Sequence, residues 1–530
     1  TLALDAGAAT PAVIALALAA RGAAAGPRIE SDADPWTSLA TTERPPLPLA
    51  LLLDDTLASG AATRATLRAD HLHEAGATPA QCVAATLALL AACLRAGEER
   101  GADLDTLLDH VAVRFAVGRD VFLGVATLRA LHLGWRRITG ASGLHTRHRI
   151  PDLRAVTARR SRTTRDAWVN LLRNTGDLFA AAIGGARAID VLPMDATVAQ
   201  DSDLALRMAI NAQRILAEES HLGHVADPAA GSWAIETMTR QLAEAAWSLF
   251  QDIEREGGIL AALDTDGVLR TGLDDALAAR STRVENARHV ITGVNAFPDS
   301  AERPLPGTPP EAPSPGDIRD ACRALRDAHP PARALDGVDV STPDGMVLAA
   351  SRGATLEALV SARAAGQTPA PPVSPLHPVR DAAPFERLRD AAEAFAERTG
   401  GPPRAFLAAL GPLASHRPRT LFSASFLASA GFDVETGAGG DDSGTLVAQW
   451  TSAGSPPLVV LCGADESWDP LGIEAARALR EAGAQDIVLA GRPGALEPAL
   501  REGGVRDFIH LGGPMAPLLQ TWMHRQGVFA

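Results

Sequence analysis

The chain has 530 residues, with 49 Lys and Arg against 63 Asp and Glu, a net charge of −14, and 46% hydrophobic residues. At about 150 residues per domain there is room for several cores. The acidic balance speaks against a nucleic-acid binder and offers no polybasic membrane anchor, and the apolar content excludes wholesale disorder. Neither Tyr nor Lys occurs, so all 49 basic residues are Arg. Without a lysine there is no Schiff-base or P-loop amine, which excludes pyridoxal-phosphate enzymes and Walker-type nucleotidases. Cys82, Cys93, Cys322 and Cys462 are far apart and form no CxxC pair, which fits a reducing cytoplasm better than a disulfide framework or a zinc ribbon.

In chain order, Thr1–Gly26 is apolar but interrupted by Asp5 and Arg21, with no basic segment ahead of it as a leader would have. Leu47–Leu53 and Ala65–Ala69 read as strands. Pro79–Gly97, Asp103–Phe115, Arg119–Thr139, Ala167–Ile183, Asp203–Glu219 and Met238–Glu256 read as helices. Thr78-Pro79 opens the first of these and Gly97 closes it. Its apolar run, Cys82 to Leu94, is shorter than the roughly 18 residues of a membrane span. This alternation predicts a parallel sheet, open or closed into a barrel. Ala301–Gly316 is Pro-rich and marks a linker. A helix at Asp317–Ala328, a second Pro-rich stretch at Thr368–Pro378 and a helix at Ala383–Arg398 complete a belt-like middle region.

Residues 404–530 give the clearest pattern. Strands at Ala405–Leu410, Phe432–Thr436, Leu458–Cys462, Ile487–Ala490 and Phe508–Leu511 alternate with helices at Leu421–Ala430, Pro470–Ala482, Ala495–Glu502 and Ala516–Gln526. This predicts a doubly wound, flavodoxin-like α/β domain.

Several blocks carry a family resemblance: HEAGATPAQ (73–81), VFLGVATLRALHLGW (121–135), the stretch from Asp166 to Ser220, and HLGHVADPAAGSWAIETM (221–238). Together they resemble the barrel of methylmalonyl-CoA mutases, which use adenosylcobalamin to interconvert (R)-methylmalonyl-CoA and succinyl-CoA. The resemblance implies a (β/α)8 TIM-type barrel over residues 1–300, a Pro-rich linker and helical belt over 301–403, and a cobalamin-binding-type flavodoxin-like domain over 404–530. It starts partway through the family's barrel, so the first βα units and N-terminal arm are expected to be missing from this sequence.

The family contains catalytic chains and similar non-catalytic partner chains. Catalytic chains carry D-x-H-x-x-G after the first strand of the C-terminal domain, where the His is the corrinoid's axial ligand and the Asp orients it. The aligned segment here is LGPLASHRPRT, with Leu413 at the Asp position, Ser415 at the His and Pro418 at the Gly. His416 is one residue off, and its plainer reading is an exposed loop histidine. Of the glycines that would flank the nucleotide tail, Gly512-Gly513 remains, while Ala490-Gly491 has lost half of its pair. The expectation is a degenerate domain that does not itself bind adenosylcobalamin and has no metal ligand.

In the barrel, His71 falls where catalytic chains place the His that hydrogen-bonds the thioester carbonyl, and His73 where partner chains have theirs. His71 is therefore the candidate catalytic residue, set against a plainer role for both as rim histidines. Asp70 stands where catalytic chains carry an aromatic residue. Asn211 and Gln213 match a block bordering the adenosyl group, although a solvated helix face explains them equally. Asp227, Pro228, Gly231 and Ser232 read as a structural turn. Arg129 and Trp135 read as packing and ion-pair residues, and Arg159, Arg160 and Arg162 as a surface loop or a phosphate contact. The resemblance implies a non-catalytic subunit paired with a catalytic large subunit in a cytoplasmic heterodimer, with acyl-CoA a conceivable ligand. The alternatives are an active mutase chain using His71 and, from another class, a chaperone or regulatory module for the mutase.

Overall fold

The computed structural model describes residues 2–4, 29–31, 65–198, 202–299, 301–302, a few residues between 316 and 324, 334–365 and 375–529. They group into two units: 1–160 with 171–277 and 307–379, and 161–170 with 278–306 and 380–530. The strand expected at Leu47–Leu53 lies outside the described residues, as does nearly all of the Pro-rich stretch and of Asp317–Ala328.

In the first unit, β1 (Leu2–Leu4) pairs in parallel with β2 (Ile29–Ser31). A parallel sheet runs in sequence order through β3 (Ala65–Arg68), β4 (Val111–Val117), β5 (Leu153–Thr157) and β6 (Ala188–Asp190). Side chains alternate between the faces of a strand. One face therefore sends Leu67, Val113, Phe115, Leu153 and Ala155 into a core with Leu87, Leu90, Leu128 and Leu131. The other face carries Arg68, Arg114 and Arg154, which lie opposite one another in register.

The helix Pro79–Glu99 packs against Val121–Ala141 and Trp233–Arg255. Thr78 and Gln81 form a reciprocal capping box at its start, as the Thr-Pro signal predicts. The helix has 21 residues, long and apolar enough by composition to cross a membrane, and most of it is buried inside this unit. Gly97 does not end it. A Cβ at Gly97 would lie 2.6 Å from Leu107 Cδ2, so this glycine serves a close approach, and Gly101, at φ +65°, turns the chain after the helix.

The expected helix Asp103–Phe115 is two elements. Asp103 caps a short helix, Leu104–Asp109, by accepting the Thr106 N–H, and β4 follows. The β-branched run VAVRFAV, buried at all but its Arg, prefers the sheet. Asp120 likewise caps Val121–Ala141 through the Leu123 N–H. Later in this unit, Pro343–Ser351 and Leu356–Ala364, capped by Thr342 and Thr355, enclose a small core of Ala334, Ala349, Ala354 and Leu359.

The second unit contains β7 (Arg404–Ala409), β8 (Asp433–Thr436), β9 (Leu458–Cys462), β10 (Asp486–Ala490) and β11 (Val505–Ile509), all parallel, in spatial order 11-10-9-7-8. Both faces are covered. Ala405, Leu407, Val460 and Val488 enter one core with Phe426, Leu427 and Trp522. Phe406, Ala408, Val459, Leu461 and Leu489 enter the other with Leu446, Trp468 and Leu479. β11 starts at Val505, three positions before the expected Phe508, because Gly504, at φ +119°, turns the chain there. The helix after β7 spans Leu413–Ala428, starting well before the expected Leu421 and holding Pro418 inside it. A further helix, Ser443–Ser452, is capped by Asp442.

The Gly97 contact yields a test. Gly97→Ala should lower the melting temperature, with a cost of about 1 kcal/mol, because crowding at Leu107 outweighs the propensity gain of alanine. Adding Leu107→Ala should make the Gly97 substitution neutral or favourable. If Gly97→Ala alone raises the melting temperature, the close-approach role is wrong.

Candidate functional site

The C-terminal rim of the first sheet is built from charge. β3 ends at Arg68 and runs directly into the helix Ala69–Glu74. Arg68 donates to both Asp70 carboxylate oxygens at 2.9 and 2.8 Å. Arg114 lies 3.3 Å from Asp70 through Nε and 2.8 Å from Asp190 through Nη1. A chain of guanidinium and carboxylate groups thus links β3, β4 and β6. Burial alone would raise the Asp70 carboxyl, but the hydrogen bonds and charge of Arg68, with His71 and Arg114, hold it below its ordinary value.

His71 is half-buried beside this network, and His73 is buried, with a Cβ at Gly118 placed 3.4 Å from its ring. Arg160 donates to the backbone carbonyls of His73, at 2.6 Å, and Ala77, at 3.2 Å. The side chain of Glu74 accepts the Arg159 N–H at 2.8 Å, and its carbonyl accepts the Val379 N–H. Burial pushes the Glu74 carboxyl up to about 7, against the pull of Arg159 and Arg160. The basic run is therefore a surface loop only at Arg159, which is exposed: Arg160 is 6% exposed and Arg162, in the second unit, is fully buried. Such burial follows from the carbonyl and carboxylate oxygens that five-donor guanidinium groups require.

Asn211 is exposed and Gln213 half-buried on the helix Asp203–Arg214, which Ser202 caps through the Ala205 N–H. Two positions apart on a helix, they point to different sides. The Asp227 turn has a structural explanation. Asp227, at φ +49°, pairs with Arg129, while Glu236 binds Arg129 at 2.6 Å and accepts the Gly231 N–H at 3.2 Å. Trp135 is buried and donates to the His148 carbonyl at 2.8 Å.

In the second unit, Gly411 and Pro412 lead from β7 straight into the helix Leu413–Ala428, so Leu413, Ser415, His416 and Pro418 are all helical. Ser415 sits in the first turn, where its N–H donates to the Pro412 carbonyl. His416 is not an exposed loop histidine. It is 3% exposed, lies beneath the Gly-rich turn after β8 with Nε2 3.3 Å from a Cβ placed at Gly439, and burial lowers its pKa. Among the described residues neither of its ring nitrogens has a hydrogen-bond partner. Helical spacing explains this burial, since His416 shares a face with Thr420, Ser423 and Leu427, all of them buried.

Gly512 has φ +76°, and a Cβ there would meet Arg288 Nε at 3.0 Å; one at Gly513 would meet the His510 carbonyl at 3.2 Å. Gly512 is thus explained by its left-handed backbone and the approach of Arg288, and Gly513 by the tight approach of the His510 carbonyl within its turn. Sequence reasoning passed over Arg419, which donates to the Gly463 carbonyl and to Asp465 at the same rim. The lone Gly491 was the available hint, since it leaves room for that guanidinium. Among the described residues no three His, Cys, Asp or Glu side chains gather as a metal-binding group.

Two units built on parallel sheets with helical crossovers define an α/β protein whose sites lie at the carboxyl ends of the strands. A family profile described as methylmalonyl-CoA mutase matches residues 62–365, more than half of the chain, and the chain belongs to that family. It is 32% identical over 456 residues to the methylmalonyl-CoA mutase small subunit of Streptomyces virginiae, covering 86% of this chain and 63% of the relative. It is 33% identical over 486 residues to the probable methylmalonyl-CoA mutase small subunit of Mycobacterium tuberculosis, covering 89% and 66%. A methylmalonyl-CoA mutase of Rhizobium meliloti is 33% identical over 241 residues, covering 44% of this chain and 33% of the relative. The chain spans less than two thirds of the length of each of these relatives.

Glu74 gives this rim a pH signature. Its folded pKa is raised from 4.5 to about 7, so the folded state holds a proton that the unfolded chain releases. This contribution to stability is present below about 4.5, falls as the pH rises and is gone above about 7. Glu74→Gln, neutral throughout, should flatten the decline in melting temperature across that range. An unchanged slope would show that Glu74 ionises normally.

Proposed function

We propose that this chain is the small, non-catalytic subunit of a methylmalonyl-CoA mutase heterodimer. In that complex a catalytic large subunit interconverts (R)-methylmalonyl-CoA and succinyl-CoA, with adenosylcobalamin supplying the radical chemistry. One observation carries the reading: the segment aligned with the family's axial-histidine loop is the first turns of a helix, with Ser415 at the axial position. His416, the neighbouring imidazole, is turned under the Gly439 loop, and among the described residues no hydrogen bond orients its ring. The residues present do not fit the corrinoid. The relatives named small subunits support the same reading.

On this reading, β3–β6 are an arc of a (β/α)8 barrel within residues 1–300. The five-stranded unit is a degenerate flavodoxin-like domain over 404–530, a reading its 2-1-3-4-5 order from the first strand supports. The chain's part is to stabilise its partner. Exposed Phe122, Leu172 and Phe179 on the first unit, at 67%, 72% and 37%, support a need for cover. A cytoplasmic location fits the free, buried thiols of Cys82, Cys93 and Cys462, each pushed up to about 12 by burial.

Co-expression with a catalytic homologue should give a 1:1 complex, while the chain alone should self-associate. In the complex, His71→Ala should leave turnover within a few-fold. The matching substitution in the partner should cost roughly 10²–10³, as loss of a carbonyl hydrogen bond in the transition state does. A hundredfold loss from His71→Ala with the complex intact would overturn the proposal and make this an active chain.

A further inference from the structure

We propose that the groove between the helices Val121–Ala141 and Trp233–Arg255 is a binding site for a small, flat organic monoanion, held through Arg240, Arg137 and Trp247. The inference concerns the first unit alone and does not depend on the function proposed above.

The two helices run side by side in one direction, since Arg129 binds Glu236 and, about two turns on, Arg137 reaches Trp247. Gly134 lets the first of them approach the helix Pro79–Glu99: a Cβ there would lie 2.5 Å from Leu87 Cδ1. Between the pair lies a groove of about 290 Å³, open to solvent and mostly apolar, with Leu133 on one side and Ala243 and Trp247 on the other. Arg137, Arg240 and Glu244 bring the charge to it. Positions 240, 243, 244 and 247 have the spacing of a single helix face. The volume is at the lower end for small-ligand sites, about 300–1,000 Å³.

Arg137 Cζ stands 4.2 Å from the centroid of the Trp247 ring. Trp247 is half-buried and is held from behind by Phe250, with the ring centroids 5.1 Å apart. Among the described residues neither Arg137 nor Arg240 has a carboxylate partner, and Trp247 Nε1 has no acceptor. Trp135, on the neighbouring helix, differs in giving its N–H to the His148 carbonyl. The acidic neighbours of Arg240 do not serve it: Glu236 is committed to Arg129 and the Gly231 N–H, and Glu244 forms no ion pair among the described residues. Carboxylates outnumber guanidinium groups in this chain, 63 to 49, so two arginines facing one groove without such a partner mark a place for an anion from outside.

The groups present define its class. A guanidinium offers paired N–H groups that match the edge of a carboxylate or sulfonate. The indole, with Leu133 and Ala243, offers an apolar bed for a flat body. Two guanidinium groups and the Glu244 carboxylate leave one net positive charge, which suits a monoanion and disfavours a dianion or a cation. An aromatic carboxylate has all of these properties.

The test uses the full chain carrying fluorotryptophan, with naphthoate as the probe and Trp247→Phe to assign the Trp247 fluorine resonance. Naphthoate should shift that resonance saturably, and naphthamide, its uncharged counterpart, should need a concentration about tenfold higher. Arg240→Ala and Arg137→Ala change exposed positions, so the chain should still fold, and each should weaken naphthoate about tenfold. Glu244→Gln should tighten it, and Arg240→Glu should abolish the shift. A Trp247 resonance that naphthoate does not move would overturn the proposal. So would a shift that naphthamide, or naphthoate with the Arg240 variants, reproduces at the same concentrations, as an unspecific apolar surface would.

Discussion

A guanidinium cannot shed its proton when buried, and its five N–H groups point outward in one plane. With no lysine in the chain, every fixed positive charge that leaves water brings this demand for oxygen with it. Arg160 meets it with the carbonyls of His73 and Ala77, and Arg68 and Arg114 share Asp70. Arg419 meets it with Gly463 and Asp465. Asp70, Gly463 and Asp465 lie just past the carboxyl ends of parallel strands, where an α/β enzyme keeps groups free for a ligand. The constraint that lets Arg68 and Arg160 be buried, and Arg114 and Arg419 half-buried, therefore also engages the rims from within.

Such networks are better at fixing geometry than at adding stability. Desolvating both members of an ion pair offsets much of their attraction, whereas removing one member leaves an uncompensated charge. The Arg68–Asp70–Arg114–Asp190 chain accordingly ties three strands in one arrangement. The same rim also separates two carboxyls by environment: Asp70, ringed by arginines, is held low, while Glu74, half-buried with a backbone N–H as its close partner, rises to about 7. In catalytic relatives of this family, by resemblance, an aromatic residue stands at the Asp70 position. Here that position holds a carboxylate committed to Arg68.

β9 and β10 were the most legible strands, because they are short, buried throughout and followed by a glycine, whereas β11, with Arg506 and Asp507 in its first half, was legible only from Phe508 on. β4, β5 and β6 were not legible, because Arg114, Arg154 and Asp190 interrupt the apolar pattern, and the partners of Arg114, Asp70 and Asp190, are remote in sequence. Asp103–Phe115 looked like one helix because a capped turn and a buried strand abut across His110, with no Gly or Pro between them. Gly97 looked like a stop because a glycine needed for tight packing and one needed for a left-handed turn are the same letter. The LGPLASHRPRT segment looked like a loop because the family's motif is one and because of Pro418. The helix instead begins at Leu413 and turns His416 inward. Arg419 had no local signal, since its partners Gly463, Asp465 and Trp468 are brought to it only by the fold.

On the function proposed above, this chain lends structure to a mutase without carrying its cofactor. The cobalt content of the purified complex, measured against the concentration of each subunit, decides this. One cobalt is expected for each pair of subunits, all of it retained by the catalytic partner when the two are separated. Two cobalts per pair, or cobalt that leaves with this chain, would contradict it.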